Sequence, residues 1–254
     1  MVIVLKKGLY FTLNFKSLFV GTIVSCLIIS LILFIAVPEK SSTASAENIR
    51  TVQNEKQLII VDPGHGGEDG GTVSSRGVNE KKINLEISEK LKKIFELCGY
   101  RTIMTREEDK LIYDGAPKTI REKKVSDLRN RLNFSENNPE GIFLSVHQNY
   151  FTESKYWGTQ VFYSGNNEDS KLIAENIQKS ARNNIQNDNY RKIKKSGKEI
   201  FLLHNIKSPA VMVECGFMSN PSEALKLEDN SYQIKMALSI IDGINNYLSI
   251  KGEI

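Results

Sequence analysis

Short β-rich runs that alternate with amphipathic stretches of helix length predict an α/β domain, built on a mostly parallel twisted sheet with helices on both faces. Composition and length agree with one such unit. The chain has 254 residues, 40% hydrophobic and 25% charged, enough for one substantial domain plus a targeting segment, or at most two small domains. The clearest helical pattern runs from Glu80 to Cys98 and ends at Gly99. There Glu80, Ile83, Ile87, Leu91, Ile94 and Cys98 fall on one stripe.

At the N-terminus, Leu18 to Val37 is an unbroken apolar-to-neutral run with Lys6, Lys7 and Lys16 before it. It is long enough to cross a bilayer. The preceding lysines keep the N-terminus inside and send the rest of the chain across. Residues 1–46 therefore read as a membrane anchor or signal peptide with the start of a linker. Ala44-Ser45-Ala46 has the form of a cleavage site, but the apolar core exceeds that of an ordinary signal peptide, so a retained anchor is favoured. The polar stretch from Ser41 to about Glu55 reads as a tether.

Beyond the tether, Leu58–Val61 is the first expected strand, followed by the Glu80–Cys98 helix and a strand at Tyr100–Met104. A polar helix from Ser126 to Asn137 leads to strands at Gly141–Val146 and Gly158–Tyr163. Leu172, Ile173, Ile177 and Ala181 mark a helix over Ser170–Ile185. Ile200–Leu203 and Ala210–Val213 read as two more strands. Ile234, Ala237, Leu238, Ile241, Ile244 and Leu248 mark a C-terminal helix.

The formal charge of +4 comes mostly from the N-terminal flank: beyond residue 46 there are 30 basic against 29 acidic residues. No basic stripe argues for a nucleic-acid partner. Of three cysteines, Cys26 lies in the apolar run, leaving Cys98 and Cys215, too few for a disulfide framework and expected to be free, buried thiols.

In α/β sheets of this kind, ligands bind outside the carboxyl ends of the strands. His65 follows the first strand in Val61-Asp62-Pro63-Gly64-His65-Gly66-Gly67, where Pro63 and the glycines enforce a turn. A phosphate loop would look similar, but no Gly-Lys-Ser/Thr or Gly-x-Gly-x-x-Gly pattern follows. His147 is expected at the end of Ile142–Val146, on the face of Phe143 and Ser145. Glu80 heads the apolar helix stripe, where it either complements the helix N-terminus or pairs with something buried. Glu214 closes the apolar Pro209–Val213 run, a costly position for an ionisable group unless paired or used.

Two imidazoles and a carboxylate, with a fourth position for water, make the catalytic pattern for zinc. His65, Glu80 and His147 are thus the expected Zn2+ ligands, although nitrogen and oxygen donors do not exclude other divalent metals. Glu214 is expected to take the proton of the attacking water and pass it to the leaving amine.

These segments, with Met104-Thr105-Arg106, Leu128 and Arg131, Ser145–Asn149 and Pro209–Asn220, occur in the order seen in a known family. The chain resembles the zinc-dependent N-acetylmuramoyl-L-alanine amidases of the third amidase family. The resemblance covers about residues 57–250 and implies a catalytic domain there, with peptidoglycan as substrate. It also implies that His65, Glu80 and His147 are ligands and Glu214 the acid/base. Asn189-Tyr190-Arg191-Lys192 followed by Ile200–Leu203 is similar to the branch that prepares spore cortex for germination. The expected setting is extracytoplasmic, membrane-anchored or secreted, in the forespore envelope, and the expected form a monomer open to an activating partner protein. Gln148, where alanine is common, and Cys215 depart from the family pattern. His204 stands where relatives often have arginine and reads as a surface residue or a substrate contact. The competing readings are a metal-free wall-binding or regulatory module of the same fold, and another zinc peptidase or deacetylase of the wall.

Overall fold

In the computed structural model, the residues described are 2–5, 9–12 and 56–253. The chain divides into two units, Met1–Gln53 and Asn54–Ile254. In the first, strands β1 (Val2–Leu5) and β2 (Leu9–Thr12) pair antiparallel. The apolar run Leu18–Val37 and the tether Ser41–Glu55 lie outside the described residues. Among the described residues, no helix is long and apolar enough to cross a membrane.

The second unit is organised around β3 (Lys56–Pro63), whose last six residues are all buried. Burial on both faces is the mark of a central parallel strand. Helix α1 (Glu80–Leu97) then returns the chain to β4 (Tyr100–Met104), parallel to β3 on one side. After α2 (Ile120–Glu136), β5 (Ile142–Asn149) pairs parallel with the other side of β3. The chain thus changes direction across the sheet between β3 and β5, which is where α/β sheets open a crevice at their carboxyl ends.

Next come β6 (Gln160–Tyr163), α3 (Glu168–Ile185), the two-residue β7 (Lys194–Lys195), α4 (Phe201–Asn205) and β8 (Ala210–Phe217). Helices α5 (Pro221–Leu227) and α6 (Asn230–Lys251) complete the fold. The sheet order is β4-β3-β5-β8-β6-β7. Strands β4, β3, β5 and β8 are parallel; β6 runs antiparallel to β8, and β7 is parallel to β6. The sheet is therefore mostly parallel, as expected, but mixed, with one antiparallel junction between β8 and β6. Hydrophobic periodicity reports which residues are buried, not strand direction.

Alternation splits the core between the two faces. Ile59, Val61, Leu144, Val146, Val211 and Val213 pack with Ile83, Ile87, Leu91 and Phe95 of α1, with Ile173 and Ile177 of α3 and with Ile240 and Ile244 of α6. Each such side chain contributes about 1.5–3 kcal/mol on burial. Leu58, Ile60, Phe143 and Met212 face the other way, onto Leu128 and Leu132 of α2 and Leu202 and Leu203 of α4. Gly243 lets α6 approach α3 closely: a Cβ there would lie 2.5 Å from the Ile177 Cα.

Several expected elements differ. Ile200–Leu203 is not a strand: residues 201–205 form the short helix α4, which buries Leu202 and Leu203. Four apolar residues fit one helical turn as well as a strand. The polar helix begins at Ile120, not Ser126, because Thr119 and Glu122 form a reciprocal capping box. On α6 the buried stripe includes Met236, Ile240 and Tyr247, whereas Leu238 is 49% exposed. Cys215 is buried, but Cys98 is exposed because the α1 stripe closes on Phe95 rather than Ile94 and Cys98.

Candidate active site

Both β5 and β8 continue past the apolar runs that mark them in the sequence. His147 lies inside β5, which reaches Asn149, and Glu214 lies inside β8, which reaches Phe217. The two are direct ladder partners, and Gln160 of β6 partners Glu214 from the other side. Their side chains therefore emerge in a row on the α2/α4 face of the sheet.

His65 sits just beyond β3 with φ of 62°, a left-handed conformation uncommon for a side-chain-bearing residue. The surrounding structure over-determines it. Gly64 N–H donates to the Val146 carbonyl at 3.0 Å, and residues 66 and 69 exchange backbone hydrogen bonds. Two buried arginines grip the turn by its carbonyls. Arg106 donates to Pro63 O at 3.0 Å and Gly64 O at 2.9 Å; Arg131 donates to Pro63 O and His65 O, each at 2.8 Å.

Arg131 is itself held by Asp62 at 2.5 Å and Asp127 at 2.8 Å. Burial alone would raise the Asp62 carboxyl, but the Arg131 charge and hydrogen bonds from Thr105, Ser145 and Arg131 hold it below the usual carboxylate range.

Glu80 joins the two imidazoles. Its Oε2 is 3.2 Å from His65 Nε2 and its Oε1 is 3.0 Å from His147 Nδ1. Oε1 also accepts from the Gln148 N–H at 3.0 Å and the Asn84 amide at 3.2 Å, and Oε2 accepts from the Thr72 N–H at 3.0 Å. Burial works against its charge. Hydrogen bonds and charges from both histidines outweigh that and hold Glu80 well below its ordinary range. On the far side of His65, Asp69 Oδ2 lies 2.8 Å from Nδ1. Burial would lower the His65 pKa, but Asp69 and Glu80 raise it to about 9. Gly64 packs under the second ring: a Cβ there would fall 2.2 Å from His147 Nε2.

Glu214 completes the group. Its Oε2 is shielded from solvent and has no hydrogen-bond partner among the described residues. Burial, reinforced by the Glu80 charge and opposed by His147 and His65, pushes it up to about 7.

One ligand atom from each of His65, Glu80 and His147 lies within 4.8 Å of the others, so the trio could hold a metal ion. The N···O separations of 3.0 and 3.2 Å are close to what two donors show when each is about 2.0–2.2 Å from a shared ion. The donor set fits zinc, and so does a buried Glu214 Oε2 that no described residue satisfies. His204 does not join it; it is exposed on α4.

Asp69, Thr72 and Asn84 are contributors that sequence reasoning did not single out. Asn84 carried a usable signal: it lies four residues after Glu80, a polar residue among the apolar positions of the buried helix face. Asp69, in a Gly-rich loop, carried none beyond its i+4 spacing from His65.

Comparison with known proteins agrees with this architecture. The N-acetylmuramoyl-L-alanine amidase family profile matches residues 59–246. The germination-specific N-acetylmuramoyl-L-alanine amidase of Bacillus subtilis is 35% identical over 197 residues, covering 78% of this chain and 82% of that protein. The CwlD amidase of Clostridioides difficile, solved in complex with the GerS lipoprotein, superposes with a TM-score of 0.74 at 39% identity, covering 76% of this chain and 99% of that one. An N-acetylmuramoyl-L-alanine amidase from Clostridium difficile 630 gives 0.68 at 28% identity, covering 78% and 100%. The chain belongs to the N-acetylmuramoyl-L-alanine amidase family of peptidoglycan hydrolases.

Proposed function

We propose that this amidase is zinc-dependent and cuts the amide between the lactyl group of N-acetylmuramic acid and L-alanine in spore-cortex peptidoglycan. His65, Glu80 and His147 hold the metal, and Glu214 is the catalytic acid/base. The observation that carries this reading is the pairing of His147 with Glu214 across two adjacent strands, Glu80 bridging the two histidines and Glu214 Oε2 left without a partner.

When bound, zinc supplies a Lewis acid for the scissile carbonyl and lowers the pKa of water to about 7. The rest is done by the chain. Glu80 neutralises charge and fixes both rings; Asp69 sets the His65 tautomer, leaving Nε2 turned inward. A Glu214 carboxyl near 7 is matched to accepting a proton from water and then delivering it to the amide nitrogen. The likeness to a germination-specific amidase supports the cortex assignment.

The Leu18–Val37 run holds the domain outside the cytoplasm, close to the membrane in the forespore envelope. The enzyme works as a monomer whose activity a partner protein raises, a reading supported by the relative solved with a lipoprotein. Incubation of the purified protein on defined peptidoglycan, with and without zinc, tests the whole reading by mass spectrometry. New L-alanine amino termini and peptide-free muramic residues are expected only with metal; new termini within the stem peptide or the glycan would replace it with another hydrolase.

A further inference from the structure

The row that carries His147 and Glu214 does not stop there. Gln160 is the next residue across, paired to Glu214 in the β8–β6 ladder and emerging on the same face. Its Oε1 accepts from Arg191 Nη1 at 3.4 Å, and its Nε2 donates to the Lys192 carbonyl at 2.8 Å. Arg191 is elaborately held for a side chain that is only half buried. Its Nε donates to Trp157 O at 2.6 Å, and its guanidinium carbon lies 4.4 Å from the centre of the Phe217 ring and 5.7 Å from that of Tyr156. Asn189 Oδ1 accepts from its backbone N–H at 3.0 Å.

What Arg191 lacks is an anion. No described carboxylate forms an ion pair with it, and Nη2 donates to no described residue. The nearby Glu223 spends its Oε2 on the Gly158 and Phe217 amides, at 2.9 and 2.7 Å. Across the site the cations are already paired: Lys124 with Asp69 at 3.0 Å and Lys123 with Glu68 at 2.6 Å. A planar fork lying over two rings, with an N–H to spare, is suited to carboxylate recognition.

We propose that Arg191, steadied by Gln160, forms a subsite one strand beyond Glu214 that takes a carboxylate on the residue following alanine in the substrate's peptide. The proposal rests on the amidase reading above and gives that site a direction, with the peptide running out over β6 and the glycan lying on the other side. The dimensions agree. One interstrand spacing of about 4.8 Å plus a side-chain contact spans about the 7 Å covered by two extended residues.

Two muramoyl-L-alanyl peptides test it, alike except that the second residue carries a free carboxylate in one and a carboxamide in the other. With the zinc-loaded full-length chain, the acid form should show a KM about tenfold lower at similar kcat, the scale of one charge-assisted contact. Arg191→Met should abolish that preference by raising KM for the acid form alone, and Arg191→Lys should restore part of it. Calorimetry with the two corresponding free L-alanyl peptides reads the same selectivity without turnover, and it applies to Arg191→Lys should Arg191→Met fail to fold. Carboxylate-selective binding without any hydrolysis would sink the amidase reading and leave the subsite standing. Binding or KM indifferent to the carboxylate in the wild type, or selectivity unchanged in the Arg191 variants, would overturn the subsite.

Discussion

The Asp69 carboxylate meets His65 at Nδ1, 2.8 Å away, and this contact turns Nε2 of the same ring toward Glu80. A histidine anchored in this way presents one nitrogen in one tautomer, and such outer contacts are worth about 10–100-fold in metal affinity. Asp69→Ala should weaken zinc binding by about that factor while His65→Ala or His147→Ala removes it. Chelator competition measures all three; unaltered affinity in Asp69→Ala would reduce that residue to a partner of Lys124.

Glu214→Gln separates holding the metal from using it. Glutamine keeps the shape of the side chain but carries no proton, so zinc stoichiometry should stay near wild type while turnover falls by about 100- to 10,000-fold. Metal analysis and a muropeptide assay on one preparation check both halves. Near-normal turnover would send the search for the base elsewhere.

Zinc binding should release a proton near neutrality. With its pKa raised to about 9, the His65 ring is protonated at pH 7 in the metal-free protein, and that proton must leave before Nε2 can bind a metal. Affinity should therefore fall as pH drops below about 9, by up to tenfold per unit for each proton displaced. Calorimetry in buffers of different ionisation enthalpy counts the protons; a count of zero at pH 7 contradicts the expectation.

Arg131 carries its weight through the backbone of the metal-binding turn. Arg131→Met leaves Asp62 and Asp127 buried without their cation, a change that costs about 3–5 kcal/mol in comparable buried pairs. Thermal or denaturant unfolding should show it. The sign with pH follows from Asp62, whose pKa is lowered in the fold. Its contribution is fully present above the ordinary value of about 3.9 and is lost as pH falls below it toward the folded value. The wild type should thus lose stability in acid over that interval more steeply than Arg131→Met.

Much of this site was legible in the chain, for uneven reasons. Strand β4 matches its expected bounds, and β3 and α1 differ by a few residues at most, because Gly99 separates α1 from β4 and Pro63 closes β3. Glu80 and Glu214 stood out as ionisable groups where burial is expensive, and His65 and His147 by their places at the carboxyl ends of two strands. The extension of β8 through Glu214-Cys215-Gly216-Phe217 was hidden because a carboxylate and a glycine read as a stop. Strand direction at β6 and the roles of Asp69 and Asn84 depend on contacts between residues distant in sequence or lodged in loops, which no local period encodes.

His147 and Glu214 owe their spacing to a ladder of backbone hydrogen bonds deep in the sheet, whereas His65 owes its place to a turn clasped by Arg106 and Arg131. The two halves of the centre therefore fail in different ways on heating. The first persists until β5 and β8 come apart, an event as cooperative as loss of the whole core; the second opens by a local excursion of one loop, far lower in free energy. Metal should escape through that loop while the sheet remains intact, so the temperature at which the protein empties lies below the temperature at which it melts.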